Sequence, residues 1–201
     1  TSKSVIDKIL PRLKMYILRS KVTLAISAKS IYLSDTQIDG GYNLQLSADK
    51  YLNISEPPQE NTTDSNAWHK FLVDNALPMI YLESIEKIIP QQINYDLIGG
   101  INFKKGCYTG QEIVARTHYL GKVKRRMAKF TTDTQPQIGQ GVVSPLMDNQ
   151  EIGTIIDYYQ DGQNYHGLVS LQNNCLDNAY LDADNQQKLT CTTLIDESTG
   201  A

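Results

Sequence analysis

A cysteine at position 107 sits in the run Lys-Lys-Gly-Cys-Tyr-Thr-Gly-Gln-Glu, residues 104–112. A thiol becomes a nucleophile or a metal ligand only as thiolate, and positive charge nearby favours that form. Lys104 and Lys105 supply such charge, and so would the N-terminus of a helix beginning just after the cysteine. The tetrad Thr109-Gly110-Gln111-Glu112 has the form of a capping box, in which Thr109 accepts from the backbone N–H of Glu112 and Glu112 reaches back. That spacing predicts a helix from Thr109 or Gly110 through the following Ile113, Val114 and Arg116, with Ile113 and Val114 buried and a stop before Gly121. Cys107 is then expected partly exposed on the preceding loop, with Gly106 and Gly110 leaving the backbone open to a ligand. The same residues also describe a small, inert cysteine packed under a turn. Covalent catalysis of the hydrolase kind needs a base, and His118 is the only nearby candidate. It lies more than two helical turns along the chain, which disfavours an in-line pair.

Charge is concentrated around the same stretch. Between residues 104 and 129, eight basic residues stand against the single acid Glu112, so the window carries +7 and the rest of a −3 chain carries −10. A focused basic patch on an acidic protein points to an anionic ligand or partner, or to a solvated basic strand beside acidic neighbours. Lys104, Lys105 and Arg116 are the expected anion site. Direct nucleic-acid binding through the 122–129 run is disfavoured, because no aromatics are interleaved and the background is acidic.

The chain's 201 residues suffice for one large domain or two small ones, each with a real core. No apolar run approaches the roughly 20 residues of a membrane-spanning helix. The opening residues do not read as a secretory signal. They also lack a starting methionine, so the expectation is a processed or excised piece of a longer product. Three scattered cysteines, Cys107, Cys175 and Cys191, form no disulfide framework and fit a reducing cytoplasm. No cysteine or histidine spacing suggests a metal site.

Two textures divide the chain. Alternation over 16–26 predicts a strand with Tyr16, Leu18, Val22, Leu24 and Ile26 on one side, and further strands are expected at 31–33 and 42–46. A polar loop with Pro57-Pro58 precedes a helix capped by Asp64 or Ser65, with Trp68, Phe71 and Leu72 as its buried stripe. Residues 81–96, interrupted by Pro90, read as a short helix or turn and a connector. Beyond Gly121, β-prone runs recur at 123–130, 141–144, 152–159, 165–171 and 188–195, separated by Gly, Asn, Asp and Pro. These predict a small antiparallel barrel or sandwich over 122–201, with Val123, Ile155 and Leu168 pointing inward. The expected organisation is α+β, with domains at 1–121 and 122–201.

The run from Gly99 to Arg126, with its Gly-Gly lead-in, Lys-Gly-Cys-Tyr-x-Gly-Gln-Glu, Ala-Arg and Lys-Arg-Arg, resembles the signature of the YgfZ family of folate-binding proteins. These are relatives of the glycine cleavage T-protein, an aminomethyltransferase, and of a mitochondrial iron–sulfur assembly factor. Weaker similarity extends the resemblance over roughly residues 11 to 195. It implies an α+β tetrahydrofolate-binding body followed by a β-barrel, and a role in making or maintaining iron–sulfur enzymes, including one that modifies tRNA. Tetrahydrofolate or a derivative is the implied cofactor, and iron–sulfur client or assembly proteins are the implied partners. Cys107 is then the functional thiol, and Lys104, Lys105, Tyr108, Gln111, Glu112 and Arg116 are the implied cofactor-binding set.

Two departures from the family stand out. Members usually carry a substantial segment before residues 16–22 that helps form the body, so the N-terminal part of the body is expected to be missing here. If residues 39–46 occupy the place of the T-protein strand that ends in Gly-aromatic-Glu, Asn43 stands where a carboxylate holds the pterin. An amide cannot accept both donated hydrogen bonds. Folate binding is therefore expected ahead of the alternative, one-carbon transfer of the aminomethyltransferase kind.

Overall fold

The computed structural model describes residues 3–48, 50–56, 64–106, 110–121 and 123–195. They group into two compact units, one of Asp7–Trp68 and one of Thr1–Ile6 with His69–Ala201. Among the described residues no helix is long and apolar enough to cross a membrane.

Helix α1 (Lys3–Met15) opens the chain and was not foreseen from its polar composition. The smaller unit contains a three-stranded antiparallel sheet of β1 (Ser30–Ser34), β2 (Tyr42–Ser47) and β3 (Lys50–Ser55), ordered β1-β3-β2. Strand β3, absent from the sequence reading, is the central one. The strand expected at 16–26 does not form. Instead Tyr16, Ile17, Ser20 and Val22 donate their backbone N–H groups to carbonyls two or three residues back, and Leu18 takes a positive φ of 47°. Alternation specifies a strand only where a neighbour pairs with it and an apolar layer receives one face. Among the described residues of this unit neither is present, and Tyr16, Leu18, Val22 and Ile26 are exposed.

The larger unit is built on a closed antiparallel barrel of six strands in the order β4-β7-β6-β5-β8-β9. They are β4 (Arg125–Thr132), β5 (Gly141–Ser144), β6 (Gln150–Asp161), β7 (Asn164–Gln172), β8 (Ala179–Tyr180) and β9 (Lys188–Thr193). Only the two-residue β8, too short to leave a periodic pattern, escaped the sequence reading. Closure removes sheet edges that would otherwise expose unpaired backbone groups. Phe130, Val142, Ile152, Ile155, Val169 and Leu189 fill the interior.

A second apolar layer joins Met127, Ile156, Tyr159 and Leu168 to Val73 of helix α2 (Ser65–Asp74) and Ile93 of a 3₁₀ turn (Pro90–Ile93). Strands β4, β6 and β7 thus bury residues on both faces in their central stretches. Ile155 and Leu168 are fully buried as expected, but Leu168 belongs to this outer layer. Val123 is only half-buried and precedes β4, because the barrel begins two residues later. Helix α2 is capped by Asp64, which accepts from the Asn66 N–H at 2.9 Å. Its fully buried residues are Leu72 and Val73, while Trp68 and Phe71 are half-buried.

Candidate functional site

The segment leading to the cysteine motif is anchored to the barrel by side chains that bond to main chain. Asn94, in a left-handed conformation with φ 59°, donates its Nδ2 to the Met127 carbonyl at 3.1 Å and accepts from the Met127 N–H at 3.2 Å. One side chain thereby satisfies both backbone groups of a buried strand residue, as a neighbouring strand would. Arg126 pairs with Asp96 at 2.6 Å and donates to the Gln91 carbonyl at 3.0 Å. Gln91, itself buried, donates its Nε2 to the Val114 carbonyl at 2.6 Å. Residues 91–96 therefore tie β4 to helix α3 (Gln111–Leu120), the helix that follows the motif.

Closer to the motif, Asn102 Oδ1 accepts from the N–H groups of Lys104 and Lys105 at 2.9 and 3.2 Å, an Asx turn that sets both lysines on the surface. Phe103 stacks on His118, with ring centroids 3.7 Å apart and planes 9° from parallel. This contact folds the lead-in back onto the last turn of α3 and commits the His118 ring to packing.

Helix α3 starts differently from the capping-box expectation. Its N-cap is Gly110, at φ +87° and with no side-chain cap, so the first turn is entered through a conformation that glycine alone takes without strain. Val114 is buried, whereas Ile113 is 61% exposed, contrary to the pairing expected of them. Consecutive residues of a helix point about 100° apart, so one of the two can be covered while the other faces solvent.

Cys107, Tyr108 and Thr109 lie outside the described residues. Of the other expected site residues, Lys104, Lys105, Glu112 and Arg116 are exposed and Gln111 is half-buried. Among the described residues Glu112 and Arg116 make no ion pair with each other. The remaining thiols are unsuited to chemistry at neutral pH. Cys175 is fully buried in the barrel, and burial pushes the Cys191 thiol up to about 12. Among the described residues no three His, Cys, Asp or Glu side chains come together to hold a metal.

One polar constellation has no signal in the sequence. His69 Nδ1 lies 2.6 Å from Asp157 Oδ1, and Tyr81 donates its hydroxyl to Asp157 Oδ2 at 2.7 Å. The backbone N–H of Tyr158 also donates to Asp157 Oδ1, at 2.8 Å. His69 and Asp157 are 88 positions apart, and no local spacing could have linked them. Asp157 sits at a β-bulge in β6, where the register against β7 shifts between Ile155 and Asp157. The extra residue re-aims the carboxylate out of the alternating pattern. The hydrogen bond to Asp157 raises the His69 pKa against the opposing effect of burial, and burial foremost raises that of Tyr81.

No family model matches the chain. The tRNA-modifying protein YgfZ of Aliivibrio fischeri strain MJ11 is 31% identical over 219 aligned positions, covering 93% of this chain and 67% of the relative. That of Photobacterium profundum is 35% identical over 198 positions, covering 80% and 60% respectively. The protein of the same name from Klebsiella pneumoniae is 36% identical over 105 positions, half of this chain. The chain thus spans roughly three fifths to two thirds of the first two relatives. A barrel preceded by a glycine-flanked cysteine motif, with identity above 30% over nearly the whole chain, places it: this chain belongs to the family of the tRNA-modifying protein YgfZ.

Proposed function

We propose that this chain is a tetrahydrofolate-binding accessory factor in tRNA modification, one that supports iron–sulfur enzymes and works through the Cys107 thiol. The observation that carries the reading is its alignment, over 93% of its length, with a relative named as a tRNA-modifying protein. The state of the other cysteines supports the thiol part. Cys175 is sealed in the barrel and Cys191 is held protonated, so a reactive thiol falls to Cys107.

The residues present suit one end of a folate. Lys104 and Arg116 are exposed cations with no ion pair among the described residues, a match for the carboxylates of a glutamate tail. Asn43 accepts from the Ile38 N–H at 2.8 Å and donates to the Ile38 carbonyl at 3.0 Å, so its amide closes the turn that leads into β2. If residues 39–46 match the T-protein strand that holds the pterin, Asn43 offers no carboxylate there. That supports folate binding over the alternative of aminomethyl transfer, which needs a carboxylate there. When bound, tetrahydrofolate would supply a carrier for a one-carbon unit; the protein would supply the thiol and the anion contacts. The proposed partners are iron–sulfur clients or assembly proteins.

The test has two arms. Tetrahydrofolate is titrated into the wild type and Cys107→Ala, and tRNA nucleosides are measured in cells whose own relative is replaced by either version. Saturable folate binding by both proteins, with modified nucleosides restored by the wild type alone, is the expected result. Equal restoration by Cys107→Ala removes the thiol from the reading, and absence of folate binding removes the cofactor.

A further inference from the structure

The basic run of residues 124–129 is not an evenly solvated face. Arg126 is neutralised by Asp96, and Lys129 donates to the Asp74 carbonyl at 2.8 Å. Arg125 touches a carbonyl, that of Glu151, at 2.9 Å, and neither it nor Lys124 is ion-paired among the described residues. The charge left over is concentrated where these two side chains, together with Gln92, Thr117 and Gln172, line a cleft of about 270 Å³ beside α3 and the start of β4. Ile89 and Val123 form its apolar wall, and among the described residues no carboxylate lines it.

We infer that this cleft is a binding site for a phosphate group. Its volume falls below the roughly 300–1,000 Å³ of pockets that enclose a drug-sized ligand. That suits a single tetrahedral anion with part of its hydration, and not a whole nucleoside. The donors also match. Arg125 presents a planar fork and Lys124 a compact point charge, the two complementary ways of holding phosphoryl oxygens. Gln92 Oε1 accepts from the Ile89 N–H at 3.2 Å, which leaves its Nε2 as a further donor. Thr117 spends its hydroxyl proton on the Ile113 carbonyl at 2.8 Å, so it serves as wall and not as donor. An RNA backbone and a free phosphorylated small molecule present the same phosphate, and the recognition chemistry is shared. The site is independent of Cys107 and of the folate reading.

The test uses the whole chain, a Lys124→Gln/Arg125→Gln double variant, Lys124→Gln alone, and Lys188→Gln as a charge control outside the cleft. Inorganic phosphate, adenosine monophosphate and tRNA are titrated separately at two salt concentrations. Wild type and Lys188→Gln should bind phosphate saturably and alike. The double variant should bind about tenfold or more weakly, with Lys124→Gln in between, as expected for losing charge-assisted hydrogen bonds. A backbone phosphate is the ligand if tRNA binding weakens in step, phosphate competes with tRNA, and the salt slope falls by about two. A free phosphate compound is the ligand if only the two small molecules lose affinity. Absence of saturable phosphate binding by the wild type, or equal affinity in all four proteins, overturns the inference.

Discussion

His69 and Asp157 form an ion pair in which the carboxylate is fully buried and the imidazole is 23% exposed, the Nδ1–Oδ1 distance being 2.6 Å. It joins helix α2 to the bulge of β6, and Tyr81 closes it from the intervening loop. A buried carboxylate tolerates such a place only when its oxygens are fully partnered, and here three donors serve it.

The pair makes stability depend on pH. The folded pKa of His69 is raised above 6.5, so its contribution is complete below the unfolded value and is lost as pH rises through the folded one. Thermal melts of the wild type should therefore show stability declining from about pH 6 upward through the raised value. His69→Gln should flatten that part of the profile. A variant whose melting temperature retains the wild-type slope there would assign the pH dependence to other groups. Asp157→Ala, which strands both partners, should cost on the order of 3 kcal/mol or more at neutral pH.

Asn94 should be the most sensitive position in the segment that carries the motif. Asn94→Ala leaves the buried Met127 N–H and carbonyl unpaired and places at φ 59° a residue that tolerates a left-handed backbone less well than asparagine, for a loss of about 2–4 kcal/mol in urea unfolding. Asn94→Gly loses the same bonds without the backbone strain and should fall short of that loss by about 1 kcal/mol. Equal losses would mean that the backbone contributes nothing.

Gly167 faces Phe130 so closely that an added β-carbon would lie 2.4 Å from the ring and 2.4 Å from the Asp157 carbonyl oxygen. Gly167→Ala should lower stability by roughly 1–3 kcal/mol through overpacking. Combining it with Phe130→Leu should recover part of the loss, read as non-additivity in a double-mutant cycle.

Thiol labelling separates the three cysteines. In the folded protein at pH 7, Cys191, with a pKa pushed up to about 12, holds a thiolate fraction of about one in 10⁵, and Cys175 is inaccessible. A disulfide reagent should modify one equivalent rapidly and two more only on unfolding, with Cys107→Ser removing the fast phase. A fast phase that survives Cys107→Ser would contradict the assignment of the reactive thiol.

Arg116→Ala should weaken polyglutamyl folate more than monoglutamyl folate, by up to about tenfold at low salt and less at high salt, because an exposed charge pair is screened. Equal affinity of both folates for both proteins at both salt concentrations would remove Arg116 from the site.

Local chemistry made several features legible in advance. Five of the six barrel strands followed from β-prone runs punctuated by turn residues, and the cap of α2 from Asp64. The start of α3 was located to within a residue or two, though the glycine of the motif, not its threonine, proved to be the cap. Each of these is decided by residues that touch along the chain. What required the tertiary structure depends on partners far away. The alternation at 16–26 has no strand or apolar layer to receive it among the described residues of its unit, so it describes a strand that does not form. Barrel closure depends on pairing β4 with β9 across some 60 residues, and the His69–Asp157–Tyr81 cluster on a bulge that reverses one side chain. The basic run carried its charge in plain view, but which cations remain free was decided by Asp96 and the Asp74 carbonyl. Composition counts charges; only folding pairs them.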